Sequence, residues 1–176
     1  MNFIRTKSEL IYGGKVFDLY QDTIRYPNGR MARFDLIHHG GAVAIIPVDA
    51  EGNIWFVRQF RPAIMEMILE IPAGTIEPGE DPDVCASREI REEIGMAADE
   101  MIKIGEMYLA PGYSTEFMHM YLARGLYPDA LEQDVDEYIE VEKYSVKEVF
   151  EMAQRGEIKD AKTLAALTFV RDHLDM

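Results

Sequence analysis

From Gly41 to Val48 the chain is almost uninterruptedly apolar. The run is short and rich in Val and Ile, and it predicts a strand buried on both faces. Upstream, residues 15–26 carry Val, Phe, Leu, Tyr and Ile between polar positions, and Pro27-Asn28-Gly29 supplies a turn. Arg30 to His38 then returns as a second strand, so residues 1–40 read as a small antiparallel β unit. Beyond the buried strand, Asp49 to Asn53 is a turn, and Ile54–Phe60 and Met67–Ile71 read as strands. Met101–Leu109 and Phe117–Ala123 are two more.

Helical periods interrupt this pattern at three places. Asp81 is a good N-cap, Pro82 suits the first helical position and Gly95 is a natural stop, which predicts a helix over 82–94. Ala86, Ile90 and Ile94 line one face of it. Ser145 to Glu148 forms a capping box for a second helix ending near Gly156. Asp160 caps a third, expected to run through Leu174. Strands mixed with a few helices, without regular βαβ alternation, predict an α/β fold: a mixed-sheet α/β/α sandwich over 41–176, preceded by the N-terminal β unit.

Charge narrows the function. The 176 residues include 18 Lys and Arg against 32 Asp and Glu, a net charge of −14. Such a chain repels phosphate backbones and anionic lipid, so no nucleic-acid or membrane partner is expected. The longest apolar run is far shorter than a membrane span. Cys85 is the single cysteine, which rules out an intrachain disulfide. Residues 1–7 hold no apolar stretch of signal-peptide length, and the expected address is the cytoplasm. Eleven methionines read as adaptable core filling. The pair His38-His39 reads as a strand end, and His119 as a structural strand residue. No catalytic triad, Walker loop or dinucleotide fingerprint is present.

The acids are not evenly spread. Glu89, Glu92 and Glu93 fall on one helix; Glu89 and Glu93 lie about 40° apart around its axis and Glu92 about 100° from Glu93. Two carboxylates at about 6 Å repel by roughly 3 kcal/mol at an effective dielectric near 20. A divalent cation removes that cost, and an all-oxygen set favours Mg²⁺ or Mn²⁺ over Zn²⁺. Arg88 is placed to hold a carboxylate in a two-pronged bond. The alternative is a solvated charged face with paired neighbours.

The residues around this helix decide between the two. Gly74 is followed after five residues by Glu80 and after seven more by Arg88-Glu89-Ile90, then Glu92-Glu93, Gly95 and Met96. This resembles the Nudix box, with every fixed position filled. Seven fixed and two apolar positions coincide by chance on the order of once in 10⁹ starts. The resemblance implies a loop–helix–loop that binds two or more Mg²⁺ (or Mn²⁺) ions against a nucleoside diphosphate linked to another group, with water attacking phosphorus. Glu89, Glu92 and Glu93 are then metal ligands and catalytic groups, joined by the Ala73 carbonyl and by Glu77. Arg88 and Glu80 become orienting residues. Metal ions would neutralise the diphosphate and acidify a water, so an acidic protein can hold an anion.

Outside the box the chain is similar to the ADP-ribose pyrophosphatase subgroup. The similarity lies in Val57 to Pro62, Leu69 to Gly74, Ala110 to Glu116 and Gly156 to Thr163. It implies a diphosphate or ribose held by Arg58 and Arg61, with Glu70 accepting from sugar or adenine. Each arginine also suits a surface ion pair, and Glu70 a structural partner for an arginine. Tyr20 and Arg33 would help wall the adenine site, with Phe17 and Tyr26 nearby, on strands that cross to a second subunit. A homodimer is therefore expected, although core packing also suits each aromatic residue. Pro111 falls where the subgroup has a proline. Glu116 is a candidate ligand, orienter or water-positioning group. A general base would come from the loop 131–141, Glu137 first and Glu132 second; Val135 stands where relatives often carry another Glu.

The expected reaction is hydrolysis of ADP-ribose, or a related ADP-sugar, to AMP and a sugar phosphate. GDP-mannose, NADH or an oxidised nucleotide remain as alternative substrates. A non-catalytic ADP-ribose sensor is the alternative of a different class.

Overall fold

In the computed structural model, which describes residues 2–133 and 138–174, the apolar run becomes β4 (Ala42–Pro47), with all six residues buried. It pairs in parallel with β9 (Phe117–Pro128) and antiparallel with the short β7 (Ala73–Thr75). β8 (Met96–Tyr108) lies beyond β9 and completes a mixed sheet in the order β7-β4-β9-β8. A second, antiparallel sheet places β5 (Asn53–Arg61) between β6 (Glu66–Glu70) and β10 (Ile139–Ser145).

The strand period assigns faces to helices. Val43 and Ile45 of β4 join Tyr121 and Ala123 of β9 in a core with Cys85, Ala86, Ile90 and Ile94. The last four belong to, or directly follow, α1 (Pro82–Glu93). Ala42, Ala44 and Ile46 point the other way and are equally buried. Helix α3 (Ala161–Val170) also packs on β4, while α2 (Val146–Gln154) packs on β10 and β5. This is the α/β architecture with a mixed sheet that the sequence predicts.

The caps act as predicted. The Asp81 side chain accepts from the Asp83 N–H, Ser145 from Glu148 and Asp160 from Thr163. Gly95 ends α1 at φ 69°, a left-handed conformation that a Cβ would strain. The third helix is shorter than expected: α3 stops at Val170, and Arg171–His173 tighten into a 3₁₀ turn. Among the described residues no helix is long and apolar enough to cross a membrane.

The chain divides into two units, Ala42–Glu106 with Met118–Met176, and Met1–Gly41 with Met107–Phe117. The second holds the antiparallel sheet β1-β2-β3, built from Ile4–Gly13, Asp18–Arg25 and Met31–His38. Within it, the Ile37 N–H donates to the Tyr113 carbonyl, and the Thr115 N–H to the Ile37 carbonyl. Leu10, Ile11, Tyr12, Val16 and Phe17 are exposed there.

Candidate active site on the acidic helix

Helix α1 is fixed at its start from two sides. Asp81 caps it, and the buried Tyr121 hydroxyl donates to Asp83 in the first turn at 2.6 Å. Burial, followed by the Asp83 contact, pushes the Tyr121 hydroxyl's pKa up, so it stays protonated and remains a donor.

One turn further on, Arg88 gathers the acids. Its Nε and Nη2 donate to the two oxygens of Glu80, both at 2.9 Å. Its Nη1 donates to Glu89 and to Glu92, both at 2.8 Å. Nη2 also reaches the Thr75 carbonyl at 3.4 Å. Arg88 thus orients three carboxylates at once, more than the single pairing the sequence alone suggested. Glu80 in turn accepts from the Glu77 N–H at 3.0 Å, which closes the loop between box glycine and helix. Glu77 itself is exposed.

Glu89 and Glu93 are buried, at 8% and 5% exposure, whereas Glu92 is half-buried. Glu93 is held by the backbone: its Oε2 accepts from the Ala73 N–H at 3.0 Å. Glu89 lies flush against Gly74. A Cβ on that glycine would stand 1.9 Å from the Glu89 carboxyl carbon. The glycine is therefore required by a close approach of carboxylate to backbone.

Do these groups fit a divalent cation? Their donors are hard oxygens, two from buried carboxylates one helical turn apart, beside a strand backbone with no side chain at Gly74. That chemistry suits Mg²⁺ or Mn²⁺. Among the described residues no three acidic, His or Cys side chains form a closed cage; Glu89 and Glu92 each turn an oxygen to Arg88. Cys85 is buried, which pushes its thiol pKa up, and it contributes no thiolate.

The Arg88 guanidinium holds the Glu80 carboxyl at about 2, well below its ordinary range. A depressed carboxylate pKa adds stability that is complete above the unfolded value, about 4.3, and is lost as pH falls through the folded value. Arg88→Met should therefore lower Tm most near pH 7. The gap to wild type should shrink between about pH 4 and pH 2. Thermal unfolding followed by circular dichroism across that range checks this; a constant gap would assign the loss to something other than Glu80.

The other candidates fall into two groups. Arg61 donates twice to the buried Glu70, at 2.6 Å each, and Lys162 donates to the same carboxylate. Arg58 donates to Glu142 at 2.5 and 3.1 Å. These are the ion-pair arrangements that the sequence left open for both arginines and for Glu70. Tyr20, Arg33, Pro111 and Glu116 belong to the other unit. There Tyr20 stacks on His38 with ring centroids 4.2 Å apart, Arg33 and Pro111 are exposed, and Glu116 is half-buried. Of the candidate bases, Glu132 is exposed and Glu137 lies outside the described residues. Sequence reasoning missed the Ala73 N–H as a partner of Glu93; the spacing of the two residues carries no local sign of it.

Comparison with known proteins places the chain in a family. The NUDIX domain family model matches residues 38–167. An ADP-ribose pyrophosphatase of Bacillus subtilis is 38% identical over 93% of this chain and 89% of its own. A methanol dehydrogenase activator of Bacillus methanolicus is 35% identical over 94% and 90%. A crystal structure of an ADP compounds hydrolase superposes with a TM-score of 0.87 at 22% identity, covering 99% of this chain and 95% of that one. Together with the complete box and the gathered carboxylates, these matches show that the chain belongs to the Nudix family of hydrolases.

Proposed function

We propose that this hydrolase splits the diphosphate of ADP-ribose or a close ADP-sugar, giving AMP and ribose 5-phosphate from ADP-ribose, with Mg²⁺ or Mn²⁺ held at α1. The observation that carries this reading is the pair of buried carboxylates, Glu89 and Glu93, set against the backbone of Ala73 and Gly74. Bound metal would supply charge neutralisation of the diphosphate and a more acidic water. The chain's own part is positioning. Glu93 and Glu89 are the proposed ligands, with Glu92, Glu77 and the Ala73 carbonyl beside them. Arg88 fixes the carboxylates and stiffens the loop through Glu80. The similarity to an ADP-ribose pyrophosphatase supports the choice of substrate. Arg58, Arg61, Glu70, Tyr20, Arg33, Pro111 and Glu116 are the proposed substrate residues, and Glu137 or Glu132 the proposed base. The exposed apolar residues of the β1-β2-β3 sheet support a homodimer. A single, buried cysteine suits the reducing cytoplasm.

Metal-stripped protein should release AMP from ADP-ribose only after Mg²⁺ or Mn²⁺ is restored, and faster than it releases GMP from GDP-mannose or AMP from NADH. Chromatography of the products checks this, with the mass in solution read from the same preparation. Faster cleavage of GDP-mannose would reassign the substrate, and undiminished turnover in chelator would remove the metal.

A further inference from the structure

The strip Glu70–Ala73, which links β6 to β7, is pinned at every residue by neighbouring elements. The Glu70 carboxylate, 1% exposed, takes the Arg61 guanidinium and the Lys162 ammonium. The Ile71 N–H donates to the Thr163 hydroxyl oxygen at 3.0 Å. The Pro72 carbonyl accepts from the Ile45 N–H at 2.8 Å. The Ala73 N–H donates to Glu93 at 3.0 Å. Two of these five anchors, Lys162 and Thr163, come from the first turn of α3, where the cap residue binds both. Asp160 Oδ2 accepts from the Thr163 N–H at 3.0 Å, from the Thr163 hydroxyl at 2.6 Å and from Lys162 at 3.0 Å. Lys162 and Thr163 are both buried.

A hydroxyl that donates to Asp160 while accepting from Ile71 has a fixed direction, so the backbone it holds has little freedom. Ala73 lies only two residues beyond Ile71. We infer that Lys162 and Thr163 are positioning residues for the active site: the α3 cap sets the Ala73 backbone, and through it the orientation of the Glu93 carboxylate. Their bonds tie them to Ile71 and Glu70, and their effect on Glu93 passes along the strip. The inference rests on the reading of Glu89 and Glu93 as metal ligands.

Thr163→Val keeps the shape and removes the hydroxyl, whereas Thr163→Ser keeps the hydroxyl. Two readouts on metal-free protein, well below its unfolding midpoint, test the idea: amide hydrogen exchange over residues 70–75 in chelator, and Mn²⁺ titration followed by electron paramagnetic resonance. Thr163→Val should lose exchange protection at Ile71 and Ala73 and bind Mn²⁺ about tenfold more weakly, the scale expected for groups that orient metal ligands. Thr163→Ser should restore both. Lys162→Gln, measured in the same way, should loosen the strip with a smaller loss of affinity, and it carries the test if Thr163→Val does not fold. A purely structural role would lower Tm and leave Mn²⁺ affinity of the folded variant unchanged, which overturns the inference. So does loss in Thr163→Val that Thr163→Ser does not repair. Wild-type protein that takes up no Mn²⁺ would instead overturn the metal reading itself, and this inference with it.

Discussion

Glu93→Gln should lower turnover of ADP-ribose by on the order of 10²–10³ while leaving the melting temperature close to wild type. The substitution keeps the volume of the side chain and removes its charge. Glu93 is buried and accepts from the Ala73 N–H. An amide can still accept there through its oxygen, so the packing survives. What disappears is a hard anionic oxygen beside Glu89, and with it much of the attraction for a divalent cation. Steady-state kinetics over a range of Mg²⁺ concentrations, with Tm alongside, checks this. Turnover within tenfold of wild type would remove Glu93 from the mechanism.

Gly74→Ala should inactivate the enzyme nearly as completely for a different reason. The new Cβ would meet the Glu89 carboxyl carbon and Oε1 at 1.9 Å and Oε2 at 2.3 Å, far inside any permitted contact. The clashing atoms are the far end of a flexible side chain, so the carboxylate can swing away and the fold can persist. The cost in stability should be about 1–3 kcal/mol, within the range of overpacked cores. The cost in function is the displacement of a proposed ligand and of its bond to Arg88. Mn²⁺ titration and thermal unfolding of the same variant separate the two effects. Wild-type Mn²⁺ affinity in a folded Gly74→Ala would show that Glu89 need not lie where it does.

The contrast between what the sequence discloses and what it hides follows from the range of each interaction. Helix α1 is legible because its signals are local: Asp81, Pro82, an apolar face every three or four residues, and Gly95 at the end. β4 is legible because burial on both faces leaves no polar residue in the run. β1 is not legible, because almost every residue of it is exposed and so no alternation is imposed on its side chains. β8 begins at Met96, ahead of the expected Met101, because Ala97, Ala98, Asp99 and Glu100 have little intrinsic preference for a strand and are held there by the sheet. β10 lies at the edge of its sheet and follows an acidic stretch of sequence that masks its alternation. Within the site, the ligand candidates sit in one contiguous motif and are read directly. The partners of Arg58, Ile71 and Ala73 lie 84, 92 and 20 positions away, and no local pattern encodes them.

The parallel pairing of β4 with β9 also governs how the molecule is made. Ala42 sits beside Met118 and Pro47 beside Ala123, so the strand at the centre of the core leaves the ribosome more than seventy residues before its neighbour exists. Until β9 is made, the chain's most water-averse segment has, among the described residues, only the three residues of β7 to pair with from the same sheet. Parallel partners separated this far close slowly and late. The apolar face of α1, translated in between, completes its core only once Tyr121 and Ala123 join Ala86, Ile90 and Ile94. Assembly of the mixed sheet therefore waits on β9, and a synthesis that stalls before it leaves a sticky, unpaired strand open to neighbouring chains.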